Sequence, residues 1–308
     1  MIDGPELFEP SRDFPDPIAA ARYDQLVGLD SVKGLLHKEA VLRLDPDRLT
    51  GWSLKHHGQE IAALRFFRDR PPLFVFGGDV GTGKTQLAET FGDRVATEMA
   101  LKIAMRKLTL NARGSGRVGE MTSLISSAFT EVERDARSRI RGGKRTGAVI
   151  LLVDEADALA QSRDLQQMHH EDRAGVNALI RGVDHVAQEG LPVLVVACTN
   201  RLEALDPALL RRAAQTFVFA RPDTDQRAAV LTVALDGLGL SKAQIEQLAK
   251  VTGETKGRTY GTTYSDLTQR LVPLAVLDAF PDRGIAFEEL LAQARELVPT
   301  RPFNASAS

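Results

Sequence analysis

Five short runs of apolar and β-branched residues, at 73–76, 104–110, 148–153, 193–199 and 217–219, punctuate the middle of the chain. Between them, apolar positions recur at helical spacing over 83–99, 119–139 and 173–186. A run such as Val149-Ile150-Leu151-Leu152-Val153 shows no polar alternation, the pattern of a strand buried on both faces. Strands alternating with long helices predict an α/β fold with a mainly parallel, doubly wound sheet. Upstream, 23–44 and 53–69 read as helical, the second ending before Pro71-Pro72. After Arg221-Pro222 the strand signals stop. Four helical stretches near 223–236, 241–252, 264–279 and 287–298 then predict a smaller all-helical domain. Residues 1–22 are rich in proline and acids and lack periodicity, so they read as an extended tail. The expected division is a tail at 1–22, a large domain at 23–221 and a helical domain at 222–308 with a frayed end.

Composition narrows the setting. The 308 residues suffice for one large domain or two modest ones. Hydrophobic residues make up 43% and charged residues 26%, ordinary values for a globular protein. Cys198 is the single cysteine, which excludes an intrachain disulfide. No apolar run has the length of a membrane span. The acidic start, Met1-Ile2-Asp3-Gly4-Pro5-Glu6, lacks the basic and apolar regions of a signal peptide. A cytoplasmic protein is expected. The net charge of -2 offers no broad basic footprint for nucleic acid.

Chemistry enters with Gly78-Asp79-Val80-Gly81-Thr82-Gly83-Lys84-Thr85, which follows the first strand-like run and opens a helix-like one. The spacing is that of a phosphate loop, whose glycines let successive N–H groups face an anion. The following helix offers its N-terminus to the same charge. Lys84 is suited to neutralise β- and γ-phosphate charge, and Thr85 to ligate Mg²⁺. A plain glycine turn is the bland alternative, and the strand-before, helix-after context weighs against it.

A second motif, Asp154-Glu155, ends the apolar run at 149–153. That places two carboxylates at the carboxyl edge of a sheet, Asp154 for the metal shell and Glu155 for the attacking water. Asn200, closing Val195-Val196-Ala197-Cys198-Thr199, is placed to touch a γ-phosphate. Cys198 lies inside the apolar run and reads as packing rather than as a nucleophile. Arg211-Arg212, in Leu205-Asp206-Pro207-Ala208-Leu209-Leu210-Arg211-Arg212, could reach a nucleotide on an adjacent subunit. A solvated arginine pair is the alternative.

In this order, the phosphate loop, Asp154-Glu155, Asn200 and the arginine block resemble the Walker A, Walker B, sensor 1 and arginine-finger blocks of AAA+ ATPases. Tyr23-Asp24-Gln25-Leu26-Val27-Gly28-Leu29 is similar to that family's adenine-contacting segment, with Gly28 and Leu29 as the carried-over contacts. The resemblance covers about residues 23–298. It implies ATP or ADP with Mg²⁺, loop contacts running through Gln86, a five-stranded sheet in order 5-1-4-3-2, a helical lid, and a ring that is usually hexameric. Val176-Asn177-Ala178-Leu179-Ile180-Arg181-Gly182-Val183-Asp184 resembles the pachytene-checkpoint branch, which remodels HORMA-domain proteins. Arg212 matches that branch's finger, and Arg211 the finger of more general members.

By this resemblance the chain looks like the HORMA remodellers of CBASS antiphage operons. The implied action is to engage a flexible terminus of a closed HORMA protein, unfold part of it, free a bound nucleotidyltransferase and quiet signalling. Two departures stand out. Arg117 occupies the place of the usual pore-loop aromatic in Gly114-Ser115-Gly116-Arg117-Val118-Gly119-Glu120, leaving Val118 for an apolar grip beside Gly119. The lid has no clear sensor 2 arginine, with Arg270 three residues late.

Other features are weaker. Adjacent His169-His170 and His56-His57 lack the spaced ligands of a Zn²⁺ site. Residues 161–172 read better as a second pore loop. Arg134, Arg137, Arg139, Arg141, Lys144 and Arg145 could contact nucleic acid, but a solvated helix end outweighs that reading. Trp52 reads as a packing residue. A nucleic-acid motor or helicase-loader-like ATPase and a nucleotide-gated scaffold are the rival functions.

Overall fold

The computed structural model describes residues 7–110, 120–160 and 169–303, the side chains of 160 and 169–173 excepted. Six strands form one sheet, in the order Gln215–Phe219, Leu73–Gly78, Val193–Thr199, Gly147–Asp154, Lys102–Thr109 and Arg12–Phe14. Gly147–Asp154 pairs in parallel with both Lys102–Thr109 and Val193–Thr199, and the latter pairs in parallel with Leu73–Gly78. The first five of these strands stand in the predicted 5-1-4-3-2 order.

The sixth strand is a correction, because residues 1–22 were expected to be an extended tail. Arg12–Phe14 pairs antiparallel with Lys102–Thr109, setting Phe14 opposite Ile103. Three residues bounded by prolines carry too little periodicity to announce a strand. Burial of the Phe14 ring holds it there. Helix Pro17–Asp24 follows, begun by Asp16, whose carboxylate accepts from the Ile18 N–H at 3.0 Å, with Pro17 in the first turn.

The central strands are buried on both faces, as their unbroken apolar runs predict. On one face Val149, Leu151, Val153, Val193 and Val195 join Ile125, Phe129 and Val132 of helix Glu120–Ser138 and Leu179 and Val183 of helix His169–Gln188 in a single core. Gly182 permits the close crossing of these helices, because a Cβ there would overlap the Phe129 ring. On the other face Gly92, in helix Phe91–Met99, sits against Phe14 and Ile150. Cys198 is buried, a packing residue as predicted.

The chain divides into two compact units. The larger takes Met1–Tyr23, Ser31–Gly77 and Thr85–Val218, and the smaller Asp24–Asp30, Gly78–Lys84 and Phe219–Ser308. The smaller unit therefore differs from the predicted helical domain in also holding two short segments from the first third of the chain. Its own core joins Val230 and Leu231, Ile245 and Leu248, Leu267 and Leu271, and Leu290 and Leu291. The helix expected over 264–279 runs as Tyr264–Asp266, a π-helical turn at Leu267–Leu271 and Val272–Ala279. Pro273 has no N–H to donate to the carbonyl four residues back, and the ladder widens just before it.

Candidate functional site

In the larger unit, strand Gly147–Asp154 delivers Asp154 to its carboxyl end. There the Asp154 Oδ1 atom accepts from the Thr85 hydroxyl at 3.3 Å and from the Glu155 N–H at 3.0 Å. A hydroxyl and a carboxylate in hydrogen-bond range are the hard oxygen donors that Mg²⁺ prefers. Glu155 itself stands at φ 55°, an uncommon conformation for a residue with a side chain. Such strain commonly marks functional positions. Gln86, in the helix opened by Lys84, donates to the Arg22 carbonyl at 3.3 Å.

Two residues here escaped the sequence reading. Lys107 Nζ lies 2.7 Å from Glu89, 3.3 Å from Glu9 and 3.5 Å from Asp154. Burial works against its charge. The hydrogen bond to Glu89 and the fields of Glu89, Asp154 and Glu9 outweigh that and hold the ammonium well above the usual lysine range. Its signal was present in the sequence, since Arg106-Lys107 interrupts an otherwise apolar strand. Buried Asp157 is the second. It accepts from the Thr199 hydroxyl at 3.2 Å and the Asn200 N–H at 3.3 Å, so it fixes the strand end that presents Asn200.

Asp206 caps the short helix Pro207–Leu210, accepting from the Ala208 N–H at 2.7 Å. That turn carries Arg211 and Arg212 outward. Arg212 Nε donates to both carboxylate oxygens of Asp184, at 3.2 and 3.1 Å, whereas exposed Arg211 donates to the Pro207 carbonyl at 3.3 Å. Asp184 closes the 176–184 stretch, so one motif orients the other.

In the smaller unit the phosphate loop folds on itself. Lys84 Nζ and the Thr82 hydroxyl both donate to the Asp79 carbonyl, at 2.6 and 2.7 Å. Gly78 stands at φ 154°, and a Cβ there would collide with the Phe219 carbonyl oxygen, so only glycine fits. The Asp79 carboxylate accepts from Arg221 Nε at 2.7 Å, the Val80 N–H at 2.8 Å and the Phe303 N–H at 3.2 Å. The Gly81 carbonyl accepts from the Ser265 N–H at 3.1 Å. Leu26 and Leu29 border Gly83, and the Gly28 carbonyl accepts from Gln226 Nε2 at 2.8 Å. The predicted adenine segment and phosphate loop are thus brought together. Tyr264, beside Gly28, has its phenol pushed up to about 12 by burial and by the charges of Asp223 and Asp30. Arg270 is bound to Asp266 at 2.7 Å and to the Val298 carbonyl at 3.0 Å.

Several sequence readings change or fall outside. Arg117, Val118 and Gly119 lie outside the described residues, as do 161–168 of the second pore-loop reading and the side chains of His169 and His170. Trp52 is 46% exposed, its ring 5.1 Å from that of His57, which corrects the packing role. Its helix, Asp47–His57, turns only Leu49 and Ser53 fully inward. In the basic stretch, Arg134, Arg137 and Arg139 pair with Glu131, Glu189 and Asp135, and Arg145 donates to backbone carbonyls. Gly142-Gly143 forms a tight turn between Ile140–Arg141 and Lys144–Arg145.

A largely parallel sheet in which strand Leu73–Gly78 runs into a phosphate loop and strand Gly147–Asp154 ends in acids defines a P-loop ATPase. Residues 74–221 match the model of the ATPase family associated with various cellular activities (AAA). CD-NTase-associated protein 6 of Escherichia coli (strain MS 115-1) is 48% identical over 97% of this chain and 96% of its own length. A chain of the E. coli MS115-1 HORMA:CdnC:Trip13 complex superposes with a TM-score of 0.89 at 46% identity, covering 97% of this chain and 99% of that one. Rhizobiales Trip13 superposes with a TM-score of 0.77 at 44% identity, covering 96% and 100%. The chain belongs to the CD-NTase-associated protein 6 family of AAA ATPases. No helix among the described residues is long and apolar enough to cross a membrane.

Proposed function

We propose that this chain is a cytoplasmic, ring-forming ATPase, hexameric by its family resemblance, that remodels a closed HORMA-domain protein. Its likeness over nearly its whole length to a chain of a HORMA:CdnC:Trip13 complex, and to Rhizobiales Trip13, carries this reading. The ring engages a flexible terminus of the HORMA protein and unfolds part of it. The HORMA protein then parts from its CBASS nucleotidyltransferase, which restrains antiphage signalling. Arg117, Val118 and Gly119 are the candidate grip.

The work is driven by in-line attack of water on the γ-phosphate of ATP. Gly78, Asp79, Val80, Gly81, Thr82 and Gly83 wrap the phosphates with backbone N–H groups, Lys84 neutralises their charge, and Gln86 follows at the helix start. Thr85 and Asp154 hold Mg²⁺, which when bound shields the phosphate charge. Glu155 orients the water, Asn200 senses the γ-phosphate, and Arg211 or Arg212 reaches the site of a neighbouring subunit. Gly28 and Leu29 contact adenine. Phosphoryl transfer asks for positioning and charge stabilisation rather than covalent chemistry, and this set supplies both. The hydroxyl–carboxylate pair at Thr85 and Asp154 supports the metal assignment.

ATP hydrolysis measured with a closed HORMA-domain protein and, separately, with single- and double-stranded DNA tests this function. Stimulation by the HORMA protein alone is expected. Stimulation by DNA alone would replace remodelling with a nucleic-acid motor.

A further inference from the structure

Asp154 and Asn200 lie at the carboxyl ends of their strands. At the opposite edge of the same sheet, where strands Leu73–Gly78 and Val193–Thr199 begin, is a cavity of about 190 Å³. Arg43, Arg68, Arg70 and Arg145 line it, with Phe67 as an aromatic wall. The Arg70 and Arg43 guanidinium carbons lie 4.2 and 5.1 Å from the Phe67 ring centroid, which stiffens both side chains.

The charge in this cavity is only partly balanced. Arg70 is paired with Glu39 at 3.0 Å and Arg68 with Glu60. Arg43 and Arg145 form no ion pair among the described residues. Asp45 and Asp47 act on Arg145 only through their fields, and Asp45 is taken up by Arg48 at 3.1 Å. Arg145 donates to the Leu44, Arg43 and Gly190 carbonyls at 2.7, 3.2 and 3.2 Å, and Arg43 to the Arg70 carbonyl. Those carbonyls hold the side chains in place but carry only partial charge. Arg43 Nε, Arg43 Nη2 and Arg70 Nε remain buried without an acceptor, a costly arrangement for charged donors. Burial and the charge of Arg70, against a smaller opposing effect of Glu39, push Arg43 down to about 10. The groups around the cavity thus favour an added negative charge.

Size and charge define the ligand. Pockets that bury drug-sized molecules start at roughly 300 Å³, so this one takes a single anionic group. Two unbalanced guanidinium charges, in forks that suit a tetrahedral oxyanion, match a dianionic phosphate better than a carboxylate. We propose that this cavity binds the phosphate group of a small ligand, either inorganic phosphate or a phosphate monoester whose remainder projects outward.

The test uses the full chain saturated with a non-hydrolysable ATP analogue and Mg²⁺, so that the phosphate loop is filled. Inorganic phosphate, phenyl phosphate and glutarate are titrated at constant ionic strength set with chloride. The readouts are the melting midpoint and ³¹P line broadening. A saturable response to at least one phosphate and none to glutarate is expected. Preference between the two phosphates assigns the free ion or the monoester. Arg43→Gln should weaken the response about tenfold. Arg145→Gln, which removes the other guanidinium without an ion pair, should do the same. No saturable response in the wild-type chain, an equal response to glutarate, or unchanged affinity in both Arg43→Gln and Arg145→Gln would overturn the proposal.

Discussion

Glu155 occupies left-handed backbone space immediately after a strand, a conformation that costs a residue with a Cβ about 1–3 kcal/mol. Substitution by glutamine keeps the shape and removes the charge proposed to polarise water. Glu155→Gln should therefore keep ATP affinity near wild type and lower turnover by roughly 10²- to 10⁴-fold, read by nucleotide titration and phosphate release on the same preparation. Undiminished hydrolysis would remove Glu155 from the mechanism. Lys107 allows a different kind of test. Its raised pKa makes its contribution fully present below the unfolded lysine value of about 10.4, with loss only as pH climbs through the higher folded value. Lys107→Met leaves three carboxylates facing one another and should cost about 1–3 kcal/mol in urea unfolding. The same loss is expected at about pH 7 and about pH 9. A loss confined to one of these would mean that another group is titrating.

Among the elements, buried Asp266 ties together segments of the smaller unit. It accepts from the Thr263 N–H at 2.9 Å, the Thr300 N–H at 3.0 Å, the Thr300 hydroxyl at 2.7 Å and Arg270 at 2.7 Å. Burial alone would raise its pKa. The hydrogen bonds from Thr263, Thr300 and Arg270 outweigh burial and hold it below the usual carboxylate range. Its stabilisation is therefore present above about pH 4 and is lost as pH falls through the lower folded value. Asp266→Asn should destabilise by about 2–3 kcal/mol at neutral pH, with the gap from wild type closing in acid. A gap independent of pH would assign the loss to packing. The Thr300 part of this network was not legible in the sequence, because Thr300 is 34 residues from Asp266 and no pattern links them. The parallel strands were legible because burial on both faces writes an unbroken apolar run. Arg12–Phe14 was not, because an edge strand of three residues writes almost nothing. The same contrast runs through the site. Lys84, Thr85 and Asp154 announce themselves by fixed spacing, whereas Asp157 and Asp184 act on Asn200 and Arg212 across folded distances.

For the whole molecule, the open question is whether one chain completes a site on another. Arg212 is held at Nε by Asp184 on its own chain, and Arg211 is exposed on the same turn. Both are therefore available to a neighbour in a head-to-tail ring, where each interface joins two different surfaces. A finger acting between subunits predicts complementation. Glu155→Gln lacks the water-orienting group but keeps its arginines. Arg212→Ala lacks one candidate finger but keeps its own Glu155. Each variant alone should be nearly inactive. Mixed in equal amounts and allowed to exchange subunits, they should place an intact Glu155 against an intact arginine at about a quarter of the interfaces. Activity should return in the mixture to a matching fraction of wild type and fall again on dilution below the assembly range. Repeating the mixture with Arg211→Ala separates the two arginines, since only loss of the true finger gives a partner that Glu155→Gln can rescue. If neither mixture recovers activity although mixed rings form, the arginines act within their own chain and hydrolysis is not completed at a subunit boundary.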